Sequence, residues 1–143
     1  MDRVFDYESK GYGFESLQVR HIMKSKGIIR YHEGDKLVVD IDPELARYYR
    51  SWIPKSISFN IPLHPPHITV IRGAYESPKD KSKWGLREGE EIEFEYDNFI
   101  QIGKVYIWLS VQCKRLEQIR NELGLDRCFD KFKGFHITIA NMK

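Results

Sequence analysis

Cysteine is scarce in this chain. The two present, Cys113 and Cys128, form neither a metal-ligand nor a redox spacing. A disulfide-stapled scaffold is therefore not expected, and reduced thiols suit a cytosolic setting. Long apolar runs are also missing, and nothing approaches the ~20 residues that span a bilayer. The first residues, Met1-Asp2-Arg3-Val4-Phe5-Asp6, carry no apolar signal-peptide core. A cytoplasmic protein with no membrane partner is the expectation. An excess of one charge is lacking too, with 23 basic against 21 acidic residues and a net charge of +2. Such a balance argues against a protein that coats long nucleic acid. It suits a small anionic ligand held by local positive charge. No low-complexity segment or linker breaks the chain, so residues 1–143 read as one domain.

What is present is enough for a packed core. Hydrophobic residues make up 41% and aromatic residues 13%, which argues for a folded globule around one core. Two copies of one short pattern stand out, His67-Ile68-Thr69 and His136-Ile137-Thr138. The first follows Pro65-Pro66 and the second follows Lys133-Gly134-Phe135. In a strand, side chains alternate between faces. His67 and Thr69 then share one face, with Ile68 and Val70 on the other; His136 and Thr138 share one face, with Phe135, Ile137 and Ile139 opposite. Each copy offers an imidazole beside a hydroxyl on a strand whose other face reads as core.

The surroundings of the copies match. Lys36–Ile41 reads as a strand rich in β-branched residues. Asp42-Pro43-Glu44 then supplies an N-cap, a proline at the first helical position and an acidic first turn. Leu45, Tyr48, Tyr49 and Trp52 recur at helical spacing, and Pro54 stops the helix. The strand with His67 follows. In the second half, residues 104–111 read as a strand. Cys113, Leu116, Ile119 and Leu123 form a helical stripe, and Gly124 stands as its C-terminal stop. The strand with His136 follows. Halves of about 36–73 and 104–141 thus share the order strand, helix, His-x-Thr strand, with the histidines 69 residues apart. Sequence identity between them is negligible outside the motifs. Residues 13–24 suggest an N-terminal helix, residues 90–99 a half-exposed strand, and residues 75–88 a mobile polar loop.

A lone His-x-Thr tripeptide is most often a hydrogen-bonded surface pair. Two copies at the same place in matched units point instead to an acid–base site for a phosphate ester. Histidine titrates near pH ~6.5, so one imidazole can accept a proton while the other donates. Threonine hydroxyls can donate hydrogen bonds to phosphate oxygens. This chemistry requires no metal or other cofactor. Which histidine is acid and which is base stays open. Tyr106 and Trp108 share a strand face that could stack a base. Tyr12, in Gly11-Tyr12-Gly13-Phe14, is a further stacking candidate, and Trp84 a weaker one. Arg72 and Lys36 could neutralise phosphate, although exposed basic residues are usually solvated. His64 has the wrong parity to share a metal with His67, and His21 and His32 read as surface residues. The Glu90, Glu91, Glu93 and Glu95 run reads as a solvated strand face.

The two motifs, Leu63 to Val70 (L-H-P-P-H-I-T-V) and Gly134 to Asn141 (G-F-H-I-T-I-A-N), resemble the two-histidine (2H) phosphoesterase superfamily. The likeness runs from about Lys36 to Asn141. Within the superfamily the chain looks most like the phage phosphodiesterases that degrade the cyclic oligonucleotides of bacterial (CBASS) antiviral signalling. That resemblance implies an α/β fold with two pseudo-symmetric lobes and mostly antiparallel sheets around a central cleft. It implies catalysis by His67 and His136, phosphate holding by Thr69 and Thr138, and hydrolysis of 3′–5′ bonds in cyclic di- or trinucleotides in the host cytoplasm. Many RNA-end-processing relatives carry more basic residues beside the motifs, whereas here only Arg72 follows the first, with Lys131 and Lys133 before the second. A 2′,3′-cyclic phosphodiesterase or 2′–5′ RNA ligase-like activity is the alternative within this chemistry. A non-catalytic nucleotide-sequestering module is the other, and pure binding would not require both histidines.

Overall fold

A computed structural model describes residues 21–73, 75–127 and 134–142. The chain opens with strand β1 (Ile22–His32), which turns into β2 (Lys36–Ile41). The turn places Gly34 and Asp35 at φ of 78° and 60°, a left-handed conformation that glycine and aspartate tolerate best. Residues 22–24 therefore belong to a strand and His21 to no helix, against the expected N-terminal helix, whose residues 13–20 lie outside the described residues. Helix α1 (Pro43–Arg50) begins as its sequence dictates. The Asp42 carboxylate accepts the Glu44 N–H at 2.9 Å, with Pro43 in the first turn. The helix ends at Arg50, before Pro54. Its buried side is Ala46 and Tyr49, continued by Ile53, while Tyr48 and Trp52 are exposed. Of the expected stripe, Tyr49 is buried and Leu45 packs against the core, whereas Tyr48 and Trp52 face outward and Ala46 faces inward in their stead. Several apolar faces were available, and only docking against the strands selects among them.

Strands β3 (His67–Ile71), β4 (Glu91–Asp97), β5 (Gln101–Ile102) and β6 (Tyr106–Gln112) follow, then α2 (Lys114–Glu122) and β7 (Phe135–Asn141). Strand β6 starts two residues later than the sequence suggests, and Val105 lies outside it, part-exposed. Helix α2 buries Leu116 and Ile119 with Leu123 beyond it. Gly124, at φ 83°, ends it as expected. In β4, Ile92, Phe94 and Tyr96 are buried and Glu91, Glu93 and Glu95 are exposed, the expected alternation.

The strands are antiparallel in the order β4-β1-β2-β3-β7-β6-β5. A further pairing of Glu95 with Gln112 and Tyr96 with Val111 joins β4 to β6. Six strands thereby close into a barrel, with β5 attached outside the ring. Closure gives every strand an inner and an outer face. Ile29, Leu37, Val39, Ile68, Ile92, Phe94, Ile107, Leu109 and Ile137 belong to one buried cluster with the inner residues of α1 and α2. Lys24 and Lys26 stand opposite Glu95 and Glu93 on the outer face. The molecule is thus mixed α/β with mostly antiparallel strands, but its halves join in one sheet and are not separate sheets facing across a gap.

An internal two-fold relation runs through the middle of that sheet, between β3 and β7. On one side Asp40 pairs with His67 and Val38 with Thr69. On the other, Ser110 pairs with His136 and Trp108 with Thr138. Register irregularities fall at matching places, between Leu37 and Val38 and between Ile107 and Trp108. The helices obey the same relation. Arg50 of α1 donates to the Ile139 carbonyl at 2.8 Å, and Arg120 of α2 donates to the Val70 carbonyl at 2.7 Å. Each carbonyl stands three residues after a motif histidine, on the strand of the opposite half.

Candidate functional site

The two motifs are neighbours on the outer face of the barrel. Ile68 pairs with Ile137 across β3 and β7. Continuing this antiparallel register by one residue each way sets His67 opposite Thr138 and Thr69 opposite His136. All four side chains are part-buried, while Ile68 and Ile137 are fully buried beneath them. The expected parity of both strands therefore holds. The histidines are diagonal neighbours, a relation that sets side-chain bases about 7–8 Å apart on a sheet. The threonines occupy the other diagonal. Two rows cross the sheet: Asp40, His67, Thr138, Trp108 and, beside it, Val38, Thr69, His136, Ser110.

The two imidazoles differ in surroundings. His67 Nδ1 lies 2.9 Å from the Pro65 carbonyl. A carbonyl only accepts, so Nδ1–H donates and Nε2 is left to face a ligand. Pro65 thus orients the imidazole as well as leading, with Pro66, into β3. His136 is more enclosed. Burial pushes its pKa below the ordinary histidine value, and the positive charge of Arg72, then that of His67, adds to the effect. The shift favours the neutral imidazole, the form suited to accept a proton.

Arg72 is placed by a buried clamp. Its backbone N–H donates to Glu76 Oε2 at 3.2 Å. Arg120 holds the same carboxylate with two bonds, 2.6 Å to Oε2 and 2.8 Å to Oε1. Arg120 also donates to the Asp126 carbonyl at 2.7 Å and is 1% exposed. The turn after β3, and with it the cation near His136, is thereby locked to α2. The Arg72 guanidinium also lies over the Tyr75 ring, 5.5 Å from its centroid.

No family model, curated protein or solved structure matches this chain.

Trp108 stands directly opposite Thr138, half-buried at the edge of the quartet. Its ring leans on the β5–β6 turn, where a Cβ on Gly103 would come within 2.9 Å of it. Tyr106 lies beyond the register shift, opposite Asn141, and is 55% exposed. Of the two aromatic candidates, Trp108 is thus the one beside the motifs. Tyr12, Lys131 and Lys133 lie outside the described residues. Trp84 packs edge-on against Tyr31, at 4.7 Å between centroids, and is not gathered with the motifs. Lys36 is exposed at the start of β2, opposite His32. His21 and His32 are exposed, as expected.

The 75–88 segment has no strand or helix, but it is tied down at several points. Besides the Glu76 clamp, Lys81 meets Asp35 at 2.7 Å and Arg87 meets Glu122 at 2.6 Å. These contacts join the segment to the β1–β2 turn and to α2.

Sequence reasoning missed Asp40 and Ser110, the outer neighbours of His67 and His136. Strand parity alone could have placed both on the motif face. Asp40 is engaged by Arg30 at 3.4 Å. Arg50 was missed as well; it lines a hollow of about 260 Å³ with Thr138, His64, Leu63, Pro65 and Pro66. A larger hollow of about 1380 Å³ lies against β4, β6 and α2. Its lining includes Glu93, Glu95, Arg115 and Arg127 and none of the quartet residues. Among the described residues, no three His, Cys, Asp or Glu side chains are gathered as a metal site requires, and no helix is long and apolar enough to cross a membrane.

Proposed function

We propose that the chain is a two-histidine phosphodiesterase that cleaves 3′–5′ bonds in cyclic di- or trinucleotide signals without a metal. The observation that carries this reading is the crossed quartet, His67 opposite Thr138 and Thr69 opposite His136, at the centre of the sheet. Two histidines on one diagonal can flank a phosphorus, while two hydroxyls on the other diagonal meet its non-bridging oxygens. Positioned proton transfer of this kind is worth ~10²–10⁴-fold. The internal two-fold relation, with a histidine strand contributed by each half, supports the resemblance to the two-histidine superfamily.

The lowered pKa of His136 supports one assignment of roles. His136, in its neutral form, takes the proton of the substrate's 2′-hydroxyl. The 2′ oxygen bonds to phosphorus, the bond from phosphorus to the 5′ oxygen breaks, and protonated His67 gives its Nε2 proton to that leaving oxygen. Thr69 and Thr138 donate to the non-bridging oxygens as charge builds there, and Arg72 adds positive charge on the His136 side. The 2′-hydroxyl is already next to the phosphorus, so no separate nucleophile has to be captured. The resulting 2′,3′-cyclic phosphate is opened by water with the two histidines exchanging roles, leaving a 3′ phosphate. Trp108, beside Thr138, offers a face for a base. By its resemblance, the biological role is to counter bacterial antiviral signalling by cyclic nucleotides.

The test is to incubate the protein, in chelator, with cyclic dinucleotides, cyclic trinucleotides and RNA ending in a 2′,3′-cyclic phosphate, and to identify products by mass. Linearised nucleotides with 2′,3′-cyclic or 3′ phosphates are expected from the cyclic substrates. Cleavage of RNA ends alone would shift the reading to an RNA-end enzyme. Quantitative recovery of intact, bound nucleotide after heating the protein would make it a sequestering module.

A further inference from the structure

The internal symmetry is broken at the two arginines that cross it, and the break has a chemical meaning. Arg120 and Arg50 make equivalent bonds to Val70 O and Ile139 O. Arg120 is neutralised by Glu76 at 2.6 Å. Among the described residues, no carboxylate lies within ion-pair distance of Arg50. A guanidinium has several N–H donors, and Ile139 O uses one of them. The others belong to a side chain that lines the 260 Å³ hollow, and no carboxylate lines that hollow. Burial lowers the pKa of Arg50, and Arg47 adds repulsion, so an anion placed here would relieve both penalties.

The hollow is continuous with the quartet, because Thr138 belongs to both. Its walls are Leu63, Pro65 and Pro66 on one side and α1 on the other. Its volume falls below the ~300 Å³ at which pockets begin to enclose whole small ligands. It therefore suits part of a ligand whose remainder lies on the quartet.

We infer that this hollow is a subsite for a second phosphate, one sugar away from the phosphate held by the His-x-Thr quartet, with Arg50 as its cation. The inference rests on the phosphodiester reading of the quartet and deepens it. The preferred substrates are those in which the scissile diester has a neighbouring phosphate, as in cyclic or linear oligonucleotides, over simple diesters with one phosphate. Arg50 is a specificity residue that touches the ligand but not the reacting atoms. The backbone bond to Ile139 holds it at the mouth of the site.

The test uses binding, so it does not depend on turnover. Calorimetry would compare adenosine 3′,5′-bisphosphate with adenosine 3′-monophosphate on the full chain. The bisphosphate should bind about ten-fold or more tightly than the monophosphate, the scale of one hydrogen-bonded charge pair. Arg50→Gln should shrink that advantage to about two-fold while leaving the monophosphate affinity nearly unchanged, and Arg50→Lys should retain part of it. Equal binding of both probes by the wild type overturns the inference. So does an Arg50→Gln variant that weakens both probes alike, since Arg50 would then act only through the Ile139 carbonyl. Should Arg50→Gln fail to fold, the wild-type Arg50 Nε–H resonance decides: it shifts with the bisphosphate and not the monophosphate, or the subsite is refuted. A wild type that prefers the bisphosphate yet hydrolyses no diester would remove the catalytic reading and leave this subsite standing.

Discussion

His67 and His136 carry the same imidazole in unlike settings, and the chemistry assigned to each depends on that difference. His67 is oriented by the Pro65 carbonyl. The pKa of His136 is depressed by burial and by the charges of Arg72 and His67. The acid limb of the kcat/KM profile should therefore reflect His136 and lie below the usual histidine range. Arg72→Gln removes a repelling charge, so that limb should move to higher pH; an unmoved limb would dissociate Arg72 from the base. The same shift sets a stability term. With its folded pKa below the unfolded value, His136 takes up its proton more readily in the unfolded chain. It costs nothing near pH 8 and destabilises the fold as pH falls below about 6.5. The melting-temperature gap between wild type and His136→Ala should accordingly narrow from pH 8 to pH 5. Both His67→Ala and His136→Ala should lose activity by ~10²-fold or more while keeping a cooperative melt. Each side chain leaves the barrel on its outer face, so its removal opens no core cavity. Near-full turnover in either variant would refute the paired-histidine mechanism.

Among the elements, α2 illustrates what a periodic pattern can and cannot reveal. The Leu116, Ile119 and Leu123 stripe was legible because helical spacing puts those positions on one side. Arg120 was not, because an arginine beside a buried stripe usually extends to solvent. Here it is buried with Glu76, a partner 44 residues away in sequence. Breaking a buried pair strands the remaining charge, so Arg120→Met should cost about 3–5 kcal/mol. The double variant Arg120→Met with Glu76→Leu should recover part of that loss in a denaturant titration. A single variant as stable as wild type would mean the clamp is solvated. In α1, the Asp42-Pro43-Glu44 start was legible from chemistry within three residues. Which side of the helix faces inward was not, since Tyr48, Tyr49 and Trp52 offer competing apolar faces and only the strands choose.

At the scale of the whole molecule, the barrel brings together groups 69 residues apart and makes a two-fold site from one chain. The histidines are equivalent by symmetry, but their neighbours are not: Asp40 corresponds to Ser110, and Val38 to Trp108. A symmetric pair of proton carriers suits a reaction in two steps with roles exchanged, and the unlike neighbours orient an asymmetric substrate. Attack by the 2′-hydroxyl makes a specific demand. A cyclic dinucleotide with a 2′-deoxy sugar at the cleaved linkage should bind and resist cleavage. Cleavage of the deoxy compound at a similar rate would mean that water attacks directly. The roles of His67 and His136 would then have to be reassigned.

The sequence by itself determined what is local: both motif strands and their face parity, the capped start of α1, the core stripe of α2 with its Gly124 stop, and the alternation of β4. These follow from backbone geometry and side-chain chemistry over a few residues. The repeated order of strand, helix and motif strand was legible for the same reason. Only the tertiary structure decided that β3 and β7 are neighbours, that β4 closes on β6, and that residues 22–24 belong to a strand. It also decided that Arg120 is paired with Glu76 and that no carboxylate meets Arg50 among the described residues. Strand order, ring closure and ion pairing depend on which distant segments share a surface, and no window of a few residues contains that choice.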